Sequence, residues 1–195
     1  MKSIAKKILI YCYKSIKKYA EESNLGAIKK NLGLLGSNSE LFGDLQLDFV
    51  ERIQIGDWVY VGSGGKFFGR GGLTIADHVI IGPQVTIMTS MHKFKDANFL
   101  PYDEHELLKP VKIGEASWIG YGVIIMPGIE IGRGCIVGAG SVVTKSFSDG
   151  SIIAGNPAKL ISQINIEYIN KKILEKKTYL FNKITYSISK IEIAE

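Results

Sequence analysis

Three histidines, His78, His92 and His105, are the side chains of this sequence best suited to move a proton near neutral pH. A free imidazole titrates near pH ~6.5, so such a group can accept a proton as a base and return it as an acid. His92 stands in the run Thr89-Ser90-Met91-His92-Lys93-Phe94, ahead of a polar stretch carrying Asp96, Asp103, Glu104, His105 and Glu106. That stretch reads as a solvated face, as an orienter for the histidine or as a set of acceptor ligands. Cys12 and Cys135 are the two thiols, too few for a disulfide framework or a Cys-based zinc cluster within one chain. A reducing, cytoplasmic setting suits them. Gly62, Gly64 and Gly65 lack the strand-turn-helix context of a phosphate-binding loop.

These residues are positioned by a repeat. Ile113, Ile119, Ile125, Ile131, Val137 and Val143 fall in one six-residue register. Position i+4 of that register holds Ser117, Val123, Ile129, Cys135 and Ser141, all small or β-branched apart from the short thiol. Inward residues at i and i+4 every six residues describe a parallel β-helix of short strands stacked coil on coil. Three hexads close one coil, which places coils over 55–72, 75–92 and 113–148, the last being a double coil. Leu73 and Thr74 are extra between the first two, and Lys93 to Lys112 form a long insertion beginning directly after His92. His92 thus ends a coil at a rim that a loop can cover. His78 falls within a hexad at a solvent-facing position, and Cys135 is inward and reads as inert packing.

The chain has 195 residues, 46% apolar and 22% charged, which suits a compact domain and excludes a disordered one. Its net charge of +5 is uneven, with +6 over residues 1–20, −4 over 21–158 and +3 over 159–195. Basicity confined to the ends argues against nucleic acid, whose binders carry a basic stripe on the folded body. The run Ile8 to Tyr13 is far short of the ~20 residues a membrane span needs and lacks a cleavage pattern. The basic stretch at the start of the chain forms an amphipathic helix with Ile4, Ile8, Cys12, Ile16 and Tyr19 on one face. That face packs on the body or a neighbouring subunit, or it docks on an anionic membrane. Residues 165–189 read as one or two helices outside the coils, capping the end or joining subunits.

The run Ile113-Gly-Glu-Ala-Ser-Trp-Ile-Gly-Tyr-Gly-Val-Ile-Ile-Met-Pro-Gly-Ile-Glu-Ile-Gly132, the segment Gly138-Ala-Gly-Ser-Val-Val-Thr-Lys145 and the closing Ile153-Ala-Gly-Asn-Pro-Ala-Lys-Leu-Ile161 resemble the hexapeptide-repeat acyltransferases. The resemblance covers roughly residues 50–162 and is strongest to the sugar and polysaccharide O-acetyltransferases, including the galactoside, maltose and capsule-modifying enzymes. It implies an all-β core wound as a left-handed β-helix, and a homotrimer with active sites between neighbouring prisms. It also implies acetyl-CoA as co-substrate, a sugar or glycan hydroxyl as acceptor, and His92 as general base in direct transfer through a ternary complex. For the coenzyme, the resemblance points to Trp118, Tyr121, Ala139, Thr144, Lys145 and Lys159. Arg70, Asp103 and Glu104 are the acceptor candidates, and no metal is implied. Where the galactoside and maltose enzymes carry an asparagine and acidic groups, this sequence reads Phe67-Phe-Gly-Arg-Gly-Gly72, so Arg70 suggests an acidic sugar or a phosphate.

Rival readings stay open. An antibiotic or an amino sugar could be the acceptor. A zinc lyase similar to the gamma-type carbonic anhydrases would use three imidazoles, although the close H-x4-H pair of that family is missing. A non-catalytic β-helix platform would need no His92 at a rim. The organisation expected is a basic helical segment over 1–40, the β-helix over 41–162 with its loop at 93–112, and a helical extension over 163–195.

Overall fold

The computed structural model describes residues 2–186; the side chains of residues 1–5 and of Ile8 lie outside what is described, as do residues 187–195 of the C-terminal extension. Helix α1 (Lys2–Asn31) leads into a left-handed parallel β-helix of five coils and a partial sixth. Sheet A stacks β1 (Leu34–Leu35), β4 (Ile53–Ile55), β7 (Leu73–Ile75), β12 (Val111–Ile113) and β15 (Glu130–Ile131). Sheet B stacks β2 (Glu40–Leu41), β5 (Tyr60–Val61), β8 (Ile80–Ile81), β13 (Trp118–Ile119), β16 (Ile136–Val137) and β18 (Ser151–Ala154). Along its edge runs β19 (Lys159–Gln163), antiparallel to β18. Sheet C stacks β3 (Gln46–Asp48), β6 (Lys66–Phe68), β9 (Thr86–Met88), β14 (Ile124–Ile125) and β17 (Val142–Val143).

Alternation within these strands decides which side chains turn inward. Ile55, Ile75, Ile113 and Ile131 line sheet A, Val61, Ile81, Ile119 and Val137 line sheet B, and Phe67, Ile87, Ile125 and Val143 line sheet C, all fully buried. Ser117, Val123, Ile129, Cys135 and Ser141 fill the corners from within, as their i+4 spacing predicts. Each buried Ile or Phe contributes roughly 1.5–3 kcal/mol of transfer free energy. Because each coil touches only its neighbours, the core is a column of similar rungs.

The column differs from the three-hexad period at its base. Leu35 pairs with Ile55 and Ile55 with Ile75, so these coils are longer by a dipeptide than the one from Ile113 to Ile131. Leu73 and Thr74 are therefore ladder residues of β7 rather than extras between coils, and the added length lies at the corner from sheet C to sheet A. A 3-10 turn (Val50–Arg52) fills that corner first, and Gly69 to Gly72 fill it next. The first coil itself begins at Leu34, inside the span read as a helical segment.

Among the described residues of α1, the contacts with the body come from its end. Asn24 Nδ2 donates to Gly43 O at 2.8 Å and to Leu45 O at 3.2 Å, and Ile28 is buried against the first coil. Earlier in the helix Cys12, Ile16 and Tyr19 are exposed. At the other end, α2 (Ile166–Leu174) starts at Asn165, whose side chain accepts the N–H groups of Glu167 and Tyr168. It buries Ile169, and α3 (Tyr179–Tyr186) then runs back over sheet B, with Phe181 edge-on to Trp58 at 4.9 Å and Lys183 Nζ 3.7 Å from Glu40. His78 is consequently not a plain solvent-facing residue: it is half-buried, and its Nδ1 lies 3.0 Å from Thr178 Oγ1. No helix of the described residues is long and apolar enough to cross a membrane.

Candidate active site

The corner from sheet C to sheet A opens into an arm at the third coil. Its two roots are stacked on the corners below and above. Thr89 N–H donates to Phe68 O at 3.2 Å, Lys109 N–H to Thr89 O at 2.8 Å, and Gly128 N–H to Lys109 O at 3.1 Å. Between the roots, β10 (Ser90–His92) pairs antiparallel with β11 (Glu106–Leu108), His92 opposite Glu106. His92 therefore does not end a coil. It stands on the strand that leaves the coil, three residues past the root, and the excursion starts before it rather than after it.

His92 is exposed, and its ring stacks on Tyr102, centroids 4.0 Å apart and planes 11° from parallel. Tyr102 belongs to the loop between the arm strands, which is folded around Asp103. The side chain of Asp103 is buried; it accepts His105 N–H at 2.9 Å and Asn98 N–H at 3.4 Å, with His105 Nδ1 at 3.1 Å and Lys93 Nζ at 3.7 Å. Burial pushes its carboxyl up, but those N–H donors and the imidazole of His105 outweigh it and hold it below the usual carboxylate range. As an acceptor ligand Asp103 is misplaced, since its oxygens serve the loop. Glu104 is solvent-exposed, 3.8 Å from His105 Nδ1. Arg70, on the second coil's corner, pairs with Glu106 and lies over the Phe49 ring at 5.3 Å, so its charge already has a partner.

The coenzyme candidates distribute over two edges and one face of the prism. Tyr121 and Ala139 stack at the corner from sheet B to sheet C, where Gly140 N–H donates to Tyr121 O at 2.8 Å. Gly82 beneath is needed there, because a Cβ would fall 2.9 Å from Tyr121 N. Lys159, the first residue of β19, is exposed opposite Ala154, and the turn before it stacks on the same corner through Ala158 N–H to Val142 O at 2.8 Å. Thr144 and Lys145 are exposed at the end of sheet C, on the edge that carries His92, with Lys145 Nζ 5.4 Å from the Phe147 ring. Trp118 faces outward on sheet B, half-exposed, at a cavity of about 750 Å³ roofed by α2 and shared with Ile80, Ile136, Tyr168 and Ile169.

Within one chain, then, His92 with Thr144 and Lys145 occupies the edge between sheets C and A, and Tyr121, Ala139 and Lys159 the edge between B and C. The three imidazoles sit on separate elements, and the one group of the described residues with metal-ligand spacing, Asp103, Glu104 and His105, contains a single imidazole. Tyr102 and Ser90 were not among the sequence candidates. An aromatic ten residues after a histidine carries no periodic signal, and only the antiparallel pairing brings the two together.

Comparison with known proteins agrees with the geometry. Residues 110–145 match the bacterial transferase hexapeptide (six repeats) family. The galactoside O-acetyltransferase of Escherichia coli is 30% identical over 171 residues, covering 84% of this chain and 80% of that protein. The chain belongs to the hexapeptide-repeat acyltransferases. Among solved structures, a hexapeptide-repeat acetyltransferase from Vibrio cholerae complexed with acetyl-CoA superimposes with a TM-score of 0.68 at 27% identity, covering 74% of this chain and 78% of that one. A maltose O-acetyltransferase from Clostridium difficile gives 0.65 at 30% identity, with coverage of 80% and 85%.

Proposed function

We propose that this protein is an acetyl-CoA-dependent O-acetyltransferase acting on a hydroxyl of a sugar or glycan precursor, with His92 as general base. The observation that carries the reading is the exposed imidazole of His92, held on an arm and braced by the face of Tyr102. In the reaction, the imidazole takes the acceptor's hydroxyl proton while the oxygen attacks the thioester carbonyl. As the tetrahedral intermediate collapses, the C–S bond breaks and the imidazolium returns the proton to the coenzyme thiolate. No covalent enzyme intermediate is needed, in keeping with the burial of Cys135.

Trp118, Tyr121 and Ala139 are the groups proposed for the pantetheine arm, and Thr144, Lys145 and Lys159 those for the adenosine phosphates, lysine serving as a mobile point charge. Because His92 and the Tyr121–Ala139 stack lie on different edges of one prism, a complete site forms between two chains, and a closed homotrimer supplies three such sites. Arg70 gives no preference for an acidic acceptor, since its guanidinium is already paired with Glu106, and the acceptor is a neutral sugar. The basic N-terminal part of α1 gives the enzyme, in the cytoplasm, a peripheral contact with anionic lipid.

Calorimetric titration of metal-free protein with acetyl-CoA and with dephospho-CoA tests the donor site. Saturable binding at one site per chain, weakened several-fold by loss of the 3′-phosphate, is expected. With an acceptor in hand, His92→Ala lowers kcat by about 10²–10⁴. Undiminished transfer by that variant defeats the assignment of the base.

A further inference from the structure

Glu106 is not needed for any step of the transfer, yet through Arg70 it ties the arm to the body of the prism. The anchoring follows from the hydrogen-bond parity of the hairpin. Lys93 N–H donates to His105 O at 2.9 Å and Lys109 N–H to Thr89 O at 2.8 Å, so 93–105 and 89–109 are hydrogen-bonded rungs. Alternation then makes Ser90–Leu108 and His92–Glu106 the rungs without such bonds, where facing side chains stand on one side with their Cβ atoms about 4.5–5.5 Å apart. Ser90, His92 and Glu106 therefore share a face.

Both carboxylate oxygens of Glu106 are held. Ser90 Oγ donates to Oε1 at 2.7 Å, and the Arg70 guanidinium pairs with Oε2. Arg70 is itself fixed to the body, its guanidinium 5.3 Å from the Phe49 ring and its carbonyl accepting from Arg52 Nη1 at 2.6 Å. A chain of contacts thus runs from the first coil's corner at Phe49, through Arg70 on the second, to the rung that carries His92. The stacking of Tyr102 fixes the plane of the imidazole, whereas this chain fixes where the rung stands over the prism.

We propose that Glu106 is a positioning residue for His92, with Arg70 and Ser90 clamping its carboxylate so that the histidine rung keeps one height and angle above the second coil. The inference rests on the reading of His92 as the base and adds a role for three residues, Glu106, Arg70 and Ser90, that do not touch the reacting atoms. A displacement of about 1 Å at the base costs on the order of 10²-fold in rate, and a carboxylate held by two partners on different elements prevents it.

The test measures hydrogen exchange by mass spectrometry together with kcat and KM, on full-length Arg70→Ala, Arg70→Lys, Glu106→Gln and the double variant Arg70→Ala/Glu106→Gln. Each single removal is expected to lower kcat roughly 10- to 100-fold with KM for acetyl-CoA within about twofold. Arg70→Lys recovers part of the loss, and the double variant is no worse than either single one, because both break one link. Peptides spanning 90–108 exchange faster in the variants, and those of the coils at 111–143 do not. Wild-type arm exchange in Arg70→Ala overturns the clamp; if kcat has fallen all the same, the arginine belongs to the acceptor. Losses that multiply in the double variant overturn it as well. Failure of the underlying reading shows separately, as a His92→Ala protein that retains its rate, and the exchange data still decide the clamp.

Discussion

Replacing Thr89 by valine separates a lost hydrogen bond from a lost methyl group at the root of the arm. Thr89 is fully buried; its Oγ1 accepts Gly71 N–H at 2.7 Å and donates to Phe68 O at 2.6 Å. Valine has almost the same shape and no hydroxyl. Phe68 O keeps the Thr89 backbone N–H at 3.2 Å, so the group left without an acceptor is Gly71 N–H. An orphaned buried donor costs about 1–3 kcal/mol. At roughly 2–4 °C per kcal/mol for a chain of this size, a loss of about 2 kcal/mol lowers Tm by about 4–8 °C. Thr89→Ser keeps both bonds and gives up one buried methyl, about 0.8 kcal/mol. Differential scanning calorimetry at one protomer concentration should therefore rank wild type above Ser and Ser above Val. A valine variant melting at or above the serine variant would refute the assignment of the hydroxyl as the link between the second and third corners.

Four further outcomes are expected. Gly82→Ala places a Cβ 2.9 Å from Tyr121 N and 3.0 Å from Gly120 C, both backbone, and should cost about 1–3 kcal/mol and weaken acetyl-CoA binding; Gly26→Ala in α1, with open space around it, should raise Tm. The backbone N–H of Arg133 and then its guanidinium, against the opposing effect of burial, hold the Asp149 carboxyl below its usual range. Its contribution is thus fully present above the ordinary carboxylate pKa of about 3.9 and lost as pH falls through the lowered value, so the Tm gap between wild type and Asp149→Asn stays constant at pH 6–8 and closes below about pH 4. Cys12 is exposed while burial pushes the Cys135 thiol up, so a thiol reagent should label one cysteine per native chain and the second only after denaturation.

The register from Ile113 to Val143 was readable because every hexad there buries its first residue and all three corners are equally short. The same rule missed the first coil, although Leu35, Leu41 and Leu47 keep the six-residue spacing, because the longer step from Leu47 to Ile55 breaks the run. A period is a local signal, and it fails where a corner lengthens. The position of His92 could be placed near a rim from its neighbours, but the arm pairs Ser90 with Leu108 and His92 with Glu106 in the antiparallel sense, which no hexad encodes. For that reason Asp103 and Arg70 read as free to bind an acceptor, when one is folded into the loop and the other is paired with Glu106. His78 read as solvent-facing because its cover, the turn into α3 at Thr178, comes far later in the sequence.

The unequal corners have a consequence for how the chain finds its alignment. A column whose rungs, Phe67 apart, are Ile, Val and Leu is nearly indifferent to being misaligned by a whole coil, since a skipped rung finds an equivalent partner waiting. The corners between sheets C and A are not interchangeable: a 3-10 turn, a glycine bend, an arm and a Met126-Pro127-Gly128 turn follow one another up a single edge. Each fits only the corner beneath it, as Thr89 does with Gly71. The edge therefore works like the notches of a key, and the segment that presents His92 also tells the nascent coils which of their many equivalent neighbours is the right one.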